Sequence, residues 1–430
     1  MSTNAYPYKP NLLPPDFLPQ IGLNEIEVTG LLRYDKPKIP EKTHPEILDH
    51  YLSFFHRDDL EPKHTSYQDT LYYPSLMDRV TEYEGFVSLH PLQDISDTQG
   101  MLALLFECEQ ILCRLFGFSH SSFQPTSSLQ AIYTGALMIK AYHRQKGHSE
   151  KSVILINDVP DARLFSLLSL LGFELVPIPF KNGRINFREF EKKLSSNVAA
   201  CVVKTPNSYG IFEEDFSRIL SAIKAIDAIS YWDGEYAHSI LTYFFPGASE
   251  CDLGHINLTP TFSSSFYNKA SQATTIFTSK KLRDFFPGPH IQFKLGRYTF
   301  IHPPFSIGKV HPFYGNISAL IKTYSYIRRL GFSGLRERTH AYTSLIQLLK
   351  EKCAAHFHIL FKDHAQFGFV LTLEKNRFDQ KTRFLKLLKS YGVLWKELSS
   401  SSESIEMRID VPYYLPRQHV EDLASALKRD

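Results

Sequence analysis

Several stretches of this 430-residue chain carry side chains whose types and spacing suit chemistry. Asp233-Gly234-Glu235 follows the apolar run at 228–232. A carboxylate at a strand end can meet a cation in the crevice beyond the sheet, or it can simply fix a turn. Lys204-Thr205-Pro206-Asn207-Ser208-Tyr209-Gly210 follows another apolar run at 199–203, and its Pro-Asn pair suits a rigid turn. Gln124-Pro125-Thr126-Ser127-Ser128 stands before a helical stretch at 127–146. Hydroxyls there can seat a phosphate, because free amides and the helix dipole favour an anion, and they serve equally as N-caps. Thr259-Pro260-Thr261-Phe262-Ser263 follows the run HINL at 255–258 and offers Thr259 and Thr261 but no lysine.

Other chemistries lack their pattern. No Gly-rich phosphate loop or dinucleotide fingerprint follows an apolar run, and no G-x-S-x-G elbow is present. The 18 histidines contain no H-x-x-x-H pair, so no metal site is expected. His356 and His358 read as surface residues beside a strand. Lys plus Arg is 48 against 45 for Asp plus Glu, a net charge of +3, which gives no footprint for nucleic acid. The cysteines (Cys108, Cys113, Cys201, Cys251 and Cys353) are scattered without C-x-x-C spacing, as reduced thiols are. No signal-type segment or long apolar window occurs, so a cytoplasmic protein without membrane contact is expected.

Periodicity supplies the elements that must position these residues. The first 60 residues are Pro-rich and read as an arm with a short helix at 44–56. Helical stripes occupy 97–117, ending at Gly117, and 127–146. Apolar runs at 152–157, 174–179, 199–204, 228–232, 255–258 and 274–278 then alternate with helical stretches near 161–171, 187–195 and 214–226. That alternation predicts a largely parallel sheet covered on both faces. A helical pair at 313–353 leads to strands in FHILF and GFVLTLE, a helix at 378–391, a strand at 405–410 and a helix at 416–428, an α+β module. The serine run at 399–402 reads as a surface loop. The resulting division is 1–60 arm, 61–320 large domain and 321–430 small domain.

A phosphate seat at a helix start, turns at two strand ends and an acid for a ring nitrogen form the layout of a pyridoxal-phosphate (PLP) enzyme. The fold class is therefore α/β, the PLP-dependent transferase fold type I, aspartate-aminotransferase-like. Such an enzyme needs a lysine after the next strand to bond the cofactor, and HINL has none after it.

An ordered series of motifs resembles subunit 2 of glycine dehydrogenase (decarboxylating), the P-protein of the glycine cleavage system. The series runs HPEILDHY (44–51), GFVSLHPLQ (85–93), Thr98-Gln99-Gly100, SFQP (122–125) and YTGALMIKAYH (133–143). It continues with TPNSYGIFEE (205–214), YWDG (231–234), the stretch 256–263 and SIGKVHPFYGN (306–316). The resemblance implies a PLP enzyme that decarboxylates glycine, passes the aminomethyl group to the lipoyl arm of H-protein, and assembles as a homodimer or with a related subunit.

The cofactor positions depart from that family. Its Asn-Leu-His-Lys-Thr-Phe-Ser reads Asn257-Leu258-Thr259-Pro260-Thr261-Phe262-Ser263 here, so the Schiff-base position is Pro260. The family's ring-stacking His region reads Val159-Pro160-Asp161-Ala162-Arg163, its Ala-Gly-Ala phosphate loop reads Ser127-Ser128-Leu129, and a motif near the substrate becomes 66–74. Asp233, Pro206, Asn207 and His90 remain. The expectation is a pseudoenzyme without a catalytic residue, a scaffold for partners such as a lipoyl carrier, with no cofactor or only weakly, non-covalently held PLP. Its remnant pocket would contain Ser127, Ser128, Asp161, Thr205, Asn207, Asp233, Thr259, Thr261 and His90. The alternatives are an active decarboxylating subunit using Lys269 or Lys204 as a substitute, and new chemistry with His90 as base among Asp161, Asp233, Arg163 and Tyr236.

Overall fold

The computed structural model describes residues 90–158, 162–262, 273–374, 378–391, 393–401, 404–411 and 417–427. The arm at 1–60, the helix expected at 44–56, the motif at 66–74, Asp161 and Lys269 lie outside these residues.

Helix α1 (Gln99–Phe116) buries the stripe read from the sequence and stops at Gly117, whose φ of 77° is the left-handed conformation that glycine adopts without strain. Strand β1 (His120–Ser122) leads to α2 (Ser128–Gln145). The alternating region follows as β2 (Val153–Ile156), α3 (Ala162–Leu170), β3 (Glu174–Pro177), a small hairpin of β4 (Phe180–Lys181) and β5 (Arg184–Ile185), and α4 (Phe187–Lys193). It continues with β6 (Val198–Lys204), α5 (Phe216–Ala225), β7 (Ile229–Gly234), β8 (Leu253–Asn257), α6 (Leu258–Phe262) and β9 (Thr274–Thr278).

These strands form a seven-stranded sheet in the order β1-β9-β8-β7-β6-β2-β3. β3, β2, β6, β7 and β8 are parallel neighbours, as the pattern predicts. β9 pairs antiparallel with β8, the exception that a largely parallel sheet allows. A wholly buried apolar run has the same pattern in either direction, so periodicity carries no information on polarity. Every residue of β2, β6 and β7 is buried. Successive side chains divide between two cores, as the two-residue repeat of a strand requires. Ile154 and Ile156 pack with Ile139 of α2 and Leu168 of α3, whereas Val153 and Leu155 join Leu112 of α1 and Ile219 of α5.

A hairpin of β10 (His290–Lys294) and β11 (Arg297–Ile301) follows. Its turn, Leu295-Gly296, has positive φ at both residues, 51° and 75°. A leucine there hides the usual Asn-Gly or Asp-Gly hairpin signal, and the sequence reading misses the pair. Helix α7 (Ile317–Cys353) is broken at Gly331, with φ 64° and ψ −177°, which matches the expected helical pair. The domain boundary read at 320 falls inside its first half.

The rest of the chain forms β12 (His358–Leu360), β13 (Phe369–Glu374), α8 (Phe378–Ser390), β14 (Leu394–Ser400), β15 (Ser404–Asp410) and α9 (Arg417–Leu427). The strands make an antiparallel sheet in the order β12-β13-β15-β14. The serine run is not simply a loop: Ser399 and Ser400 belong to β14, where the ladder bonds are made by backbone and the side chains remain exposed. All five cysteines are free and buried. Among the described residues no helix is long and apolar enough to cross a membrane, and no group of His, Cys, Asp and Glu could hold a metal ion.

Candidate functional site

Strand register builds the site. β6 pairs with β7 so that Lys204 lies opposite Asp233, and β7 with β8 so that Asp233 lies opposite His255. Sheet order reverses at β2, with β3 on one side of it and β6, β7 and β8 on the other. Crevices of open α/β sheets form at such reversals, beyond the carboxyl ends of the strands. Asn157, just past β2, ties that edge together: its Nδ2 donates to Lys204 O at 3.1 Å, and Lys204 N donates to its Oδ1 at 2.7 Å.

The Lys204 side chain rises into this crevice and is only 9% exposed. Its Nζ lies 2.8 Å from Asp158 Oδ2, 2.8 Å from Glu235 Oε2 and 3.4 Å from Asp233 Oδ2. Burial alone would lower the Lys204 pKa, but Asp158, Asp233 and Glu235 outweigh it and raise the value well above the ordinary one. The amine is therefore a cation and presents no free lone pair for nucleophilic attack. Burial also pushes the half-buried Glu235 upward, but Lys204 and then Lys396 reverse this and hold it below the usual carboxylate range. Lys396 of β14 reaches Glu235 Oε1 at 3.4 Å from the outside.

A second layer fixes the carboxylates. Ser208 Oγ donates to Asp158 Oδ2 at 2.7 Å, and Glu235 N donates to Asp233 Oδ1 at 3.0 Å. Tyr231 OH and His255 Nδ1 share a hydrogen bond of 3.0 Å, and His255 Nε2 stands 3.5 Å from Asp233 Oδ1. Burial holds the His255 pKa down, which keeps the ring neutral. Arg408 of β15 closes the crevice from the small sheet. Its Nη1 donates to Asn207 O at 3.1 Å and Ser208 O at 2.9 Å, its Nη2 donates to Phe367 O at 2.9 Å, and its guanidinium lies 3.6 Å from the Tyr236 ring centroid.

The residues expected in a pocket divide. Asp233 and Lys204 meet in the cluster, where Lys204, the substitute-lysine candidate, is buried. Thr205 Oγ1 accepts from Glu213 N at 2.8 Å. Asn207 Nδ2 donates to Gly183 O at 2.7 Å, while its Oδ1 accepts from Tyr209 N and Ile211 N at 3.0 and 3.2 Å. Both therefore shape the strand-end turn. Ser127 caps α2 by accepting from Gln130 N at 3.2 Å, the cap alternative, and Ser128 begins the helix. Thr259 Oγ1 accepts from Ala273 N at 3.0 Å, and Thr261 Oγ1 donates to Asn257 O at 2.7 Å. Position 260 lies in the first turn of α6, where a proline costs no helical hydrogen bond. His90 Nδ1 accepts from Leu92 N at 3.2 Å in a local turn, and Arg163 is exposed. Asp158, Ser208 and Arg408 were not singled out as site residues by the sequence reading. Asp158 follows the apolar run at 152–157 as Asp233 follows the run at 228–232, a signal that could have found it.

No protein-family model matches the chain. A protein of Thermotoga maritima named probable glycine dehydrogenase (decarboxylating) subunit 2 is 28% identical over 380 residues, covering 88% of this chain and 79% of that protein. The proteins of the same name from Thermosipho melanesiensis and Bacillus licheniformis are 29% and 27% identical, over 84% and 83% of this chain and 77% and 75% of their own lengths. Among solved structures, glycine decarboxylase (P-protein) of the glycine cleavage system, in inhibitor-bound form, matches with TM-score 0.68 and 17% identity over 96% of this chain and 97% of that chain. Glutamate decarboxylase of Lactobacillus brevis matches with TM-score 0.61 and 15% identity over 95% and 96%. The fold is that of PLP-dependent enzymes of fold type I, and the motif resemblance agrees with the named relatives.

These findings correct one expectation. The sequence reading expects no cofactor, but relatives and structural neighbours are PLP-dependent enzymes and point to PLP as the cofactor. The crevice fits that group only in part. Asp233, expected as an acid for a ring nitrogen, stands at the carboxyl end of β7, yet its Oδ2 already faces the Lys204 ammonium, and position 260 offers no amine.

Proposed function

For a chain homologous to subunit 2 of glycine dehydrogenase (decarboxylating) but with proline at position 260, we propose a non-catalytic role. The chain is an interaction or scaffold subunit related to that enzyme. It assembles as a homodimer or with a related subunit in the cytoplasm and docks a lipoyl carrier of the H-protein type. The three-part division at 60 and 320 belongs to the same proposal. Two observations carry it: the amine at the centre of the crevice, Lys204, is a buried ammonium held by three carboxylates, and the family's lysine position holds a proline.

The reading concerns the lysine and not cofactor occupancy. PLP remains the cofactor to which the comparisons point, and at position 260 it has no amine to bond. The test is to incubate the full chain with PLP, reduce with borohydride and map modified lysines, then assay glycine decarboxylation with lipoylated H-protein. Absence of a site-specific adduct and of CO2 release, together with saturable H-protein binding, is the expected result. A single modified lysine whose replacement abolishes CO2 release would overturn it. It would favour the alternative of an active decarboxylating subunit, which the names of the relatives support.

A further inference from the structure

Away from the crevice, α2 lines a second concave surface. Leu137, Lys140, Ala141 and Arg144 lie on one face of that helix, at spacings of three and four. Facing them are Phe285, at the end of the 3₁₀ turn Lys280–Phe285, and Phe305 and Ile307, beyond β11. The two walls bound an open cleft of about 510 Å³, within the ~300–1,000 Å³ of small-molecule sites. The wall opposite α2 is tied in place by its own bonds. Phe305 N donates to Asp284 O at 2.9 Å, Ser306 Oγ donates to Phe286 O at 2.7 Å, and the Phe285 and Phe305 rings stack with centroids 5.8 Å apart. Phe305 is nevertheless 50% exposed, an aromatic surface left in water at the cleft.

The mouth of the cleft is basic, and none of its lining residues is acidic. Lys140 Nζ donates to Leu171 O at 2.7 Å, which holds the ammonium in place and leaves two of its N–H donors for another acceptor. Arg144 is exposed, and its guanidinium makes no hydrogen bond or ion pair among the described residues. A cation in the last turn of a helix is favoured whatever it binds, so charge alone points to no ligand. Here the charge stands beside a bare apolar wall, a pairing that suits a carboxylate with an apolar tail. The cleft is also separate from the crevice. His143, next to Arg144, has its Nε2 2.9 Å from Ala199 O near the start of β6, whereas Lys204 ends that strand about 17 Å further on.

We propose that this cleft binds a medium-chain aliphatic carboxylate. The carboxylate sits on Arg144 and Lys140, and the tail lies between Leu137 and Ala141 on one side and Phe305 and Ile307 on the other. From position 137 to position 144 the helical wall runs about 10 Å, the reach of an extended octanoate. Neither Lys204 nor position 260 takes part, so the site stands whether or not the crevice is catalytic.

The test is calorimetric titration of the full-length protein with butyrate, hexanoate, octanoate and octylammonium, each below its critical micelle concentration. Octanoate is expected to bind saturably at one site, with affinity rising up to about fourfold per methylene along the carboxylate series. Octylammonium is expected not to bind. Arg144→Gln and Phe305→Ser should each weaken octanoate about tenfold. Both side chains are exposed, so the thermal midpoints of the variants should stay close to that of the parent. No saturable octanoate binding, equal binding of octylammonium, or unchanged affinity in either variant would overturn the proposal. Should a variant not fold, the parent protein decides through photo-crosslinking with a diazirine-bearing octanoate analogue, mapped by mass spectrometry. Labelling is expected on α2 around Ala141 or on the segment around Phe305, and labelling confined to other parts of the chain would overturn the proposal.

Discussion

The carboxylates at the ends of β2 and β7 and the carboxylate of Glu109 in α1 are set in the same molecule under opposite electrostatics. Asp158 and Asp233 are buried, and with Glu235 they share an ammonium within 3.4 Å. Glu109 is 1% exposed. Tyr314 OH donates to its Oε1 at 3.3 Å, and His290 Nδ1 stands 3.9 Å from its Oε2. Burial pushes Glu109 well above the usual carboxylate range against the smaller pull of Tyr314. Burial likewise pushes the His290 pKa down to about 4, so that ring is neutral and supplies no counter-charge. Depth alone neutralises a carboxyl group, whereas depth with a matched cation holds an ion cluster. Only the second arrangement is costly to break from one side.

The largest expected effect follows from that asymmetry. Lys204→Met leaves the carboxylates without their cation and should cost about 3–5 kcal/mol in urea unfolding, the range for breaking a buried pair. A loss below about 1 kcal/mol would mean that the cluster is solvated like a surface pair.

Next is Gly210→Ala. Gly210 has φ +75°, and a Cβ there would sit 2.1 Å from Gly368 O, where the strand-end turn meets the small sheet beside Arg408. Backbone strain and overlap together should cost about 2–3 kcal/mol by denaturant titration. A neutral result would separate the cluster from its Arg408 closure.

The pH dependence tests the two settings against each other. Glu109 has a raised folded-state pKa, so above the unfolded carboxylate pKa the native state keeps a proton that the unfolded state has lost, and its contribution falls as pH rises. Glu109→Gln should therefore gain stability relative to the parent above about pH 4.5, by at most about 1.4 kcal/mol per pH unit. Glu235 is depressed, so its contribution is present above the unfolded pKa and is lost as acid carries the pH down through the folded value. Lys204 is raised, so its contribution is complete below the ordinary lysine pKa and is lost as the pH rises through the folded value. Parallel stability curves for the parent and Glu109→Gln across pH 4–8 would refute a neutral Glu109. The smallest effect is the control: the exposed pair Lys224–Glu250, 2.8 Å apart, should be removable by Lys224→Ala with no measurable shift in midpoint.

Much of this was legible from the chain alone. Alternating apolar runs and helical stripes gave the parallel core strands, because burial on both faces leaves no room for polar residues in β2, β6 and β7. The motif order led to the PLP-type fold that the structural comparisons bear out, and Asp233 was marked as a strand-end acid. Arg408 was not legible. It alternates with Met407 and Ile409 along β15 and so reads as the solvent side of a strand, but that side packs on the turn at Asn207 and Ser208.

Sequence by itself determined which residues end the strands and that position 260 holds no amine. Tertiary structure alone decided that Lys204 points into the crevice as an ammonium, because that depends on β6 lying between β2 and β7. Neighbours in the sheet bring Asp158, 46 positions earlier, and Glu235, 31 positions later, to the same nitrogen. Strand order and register are long-range choices that local periodicity does not encode.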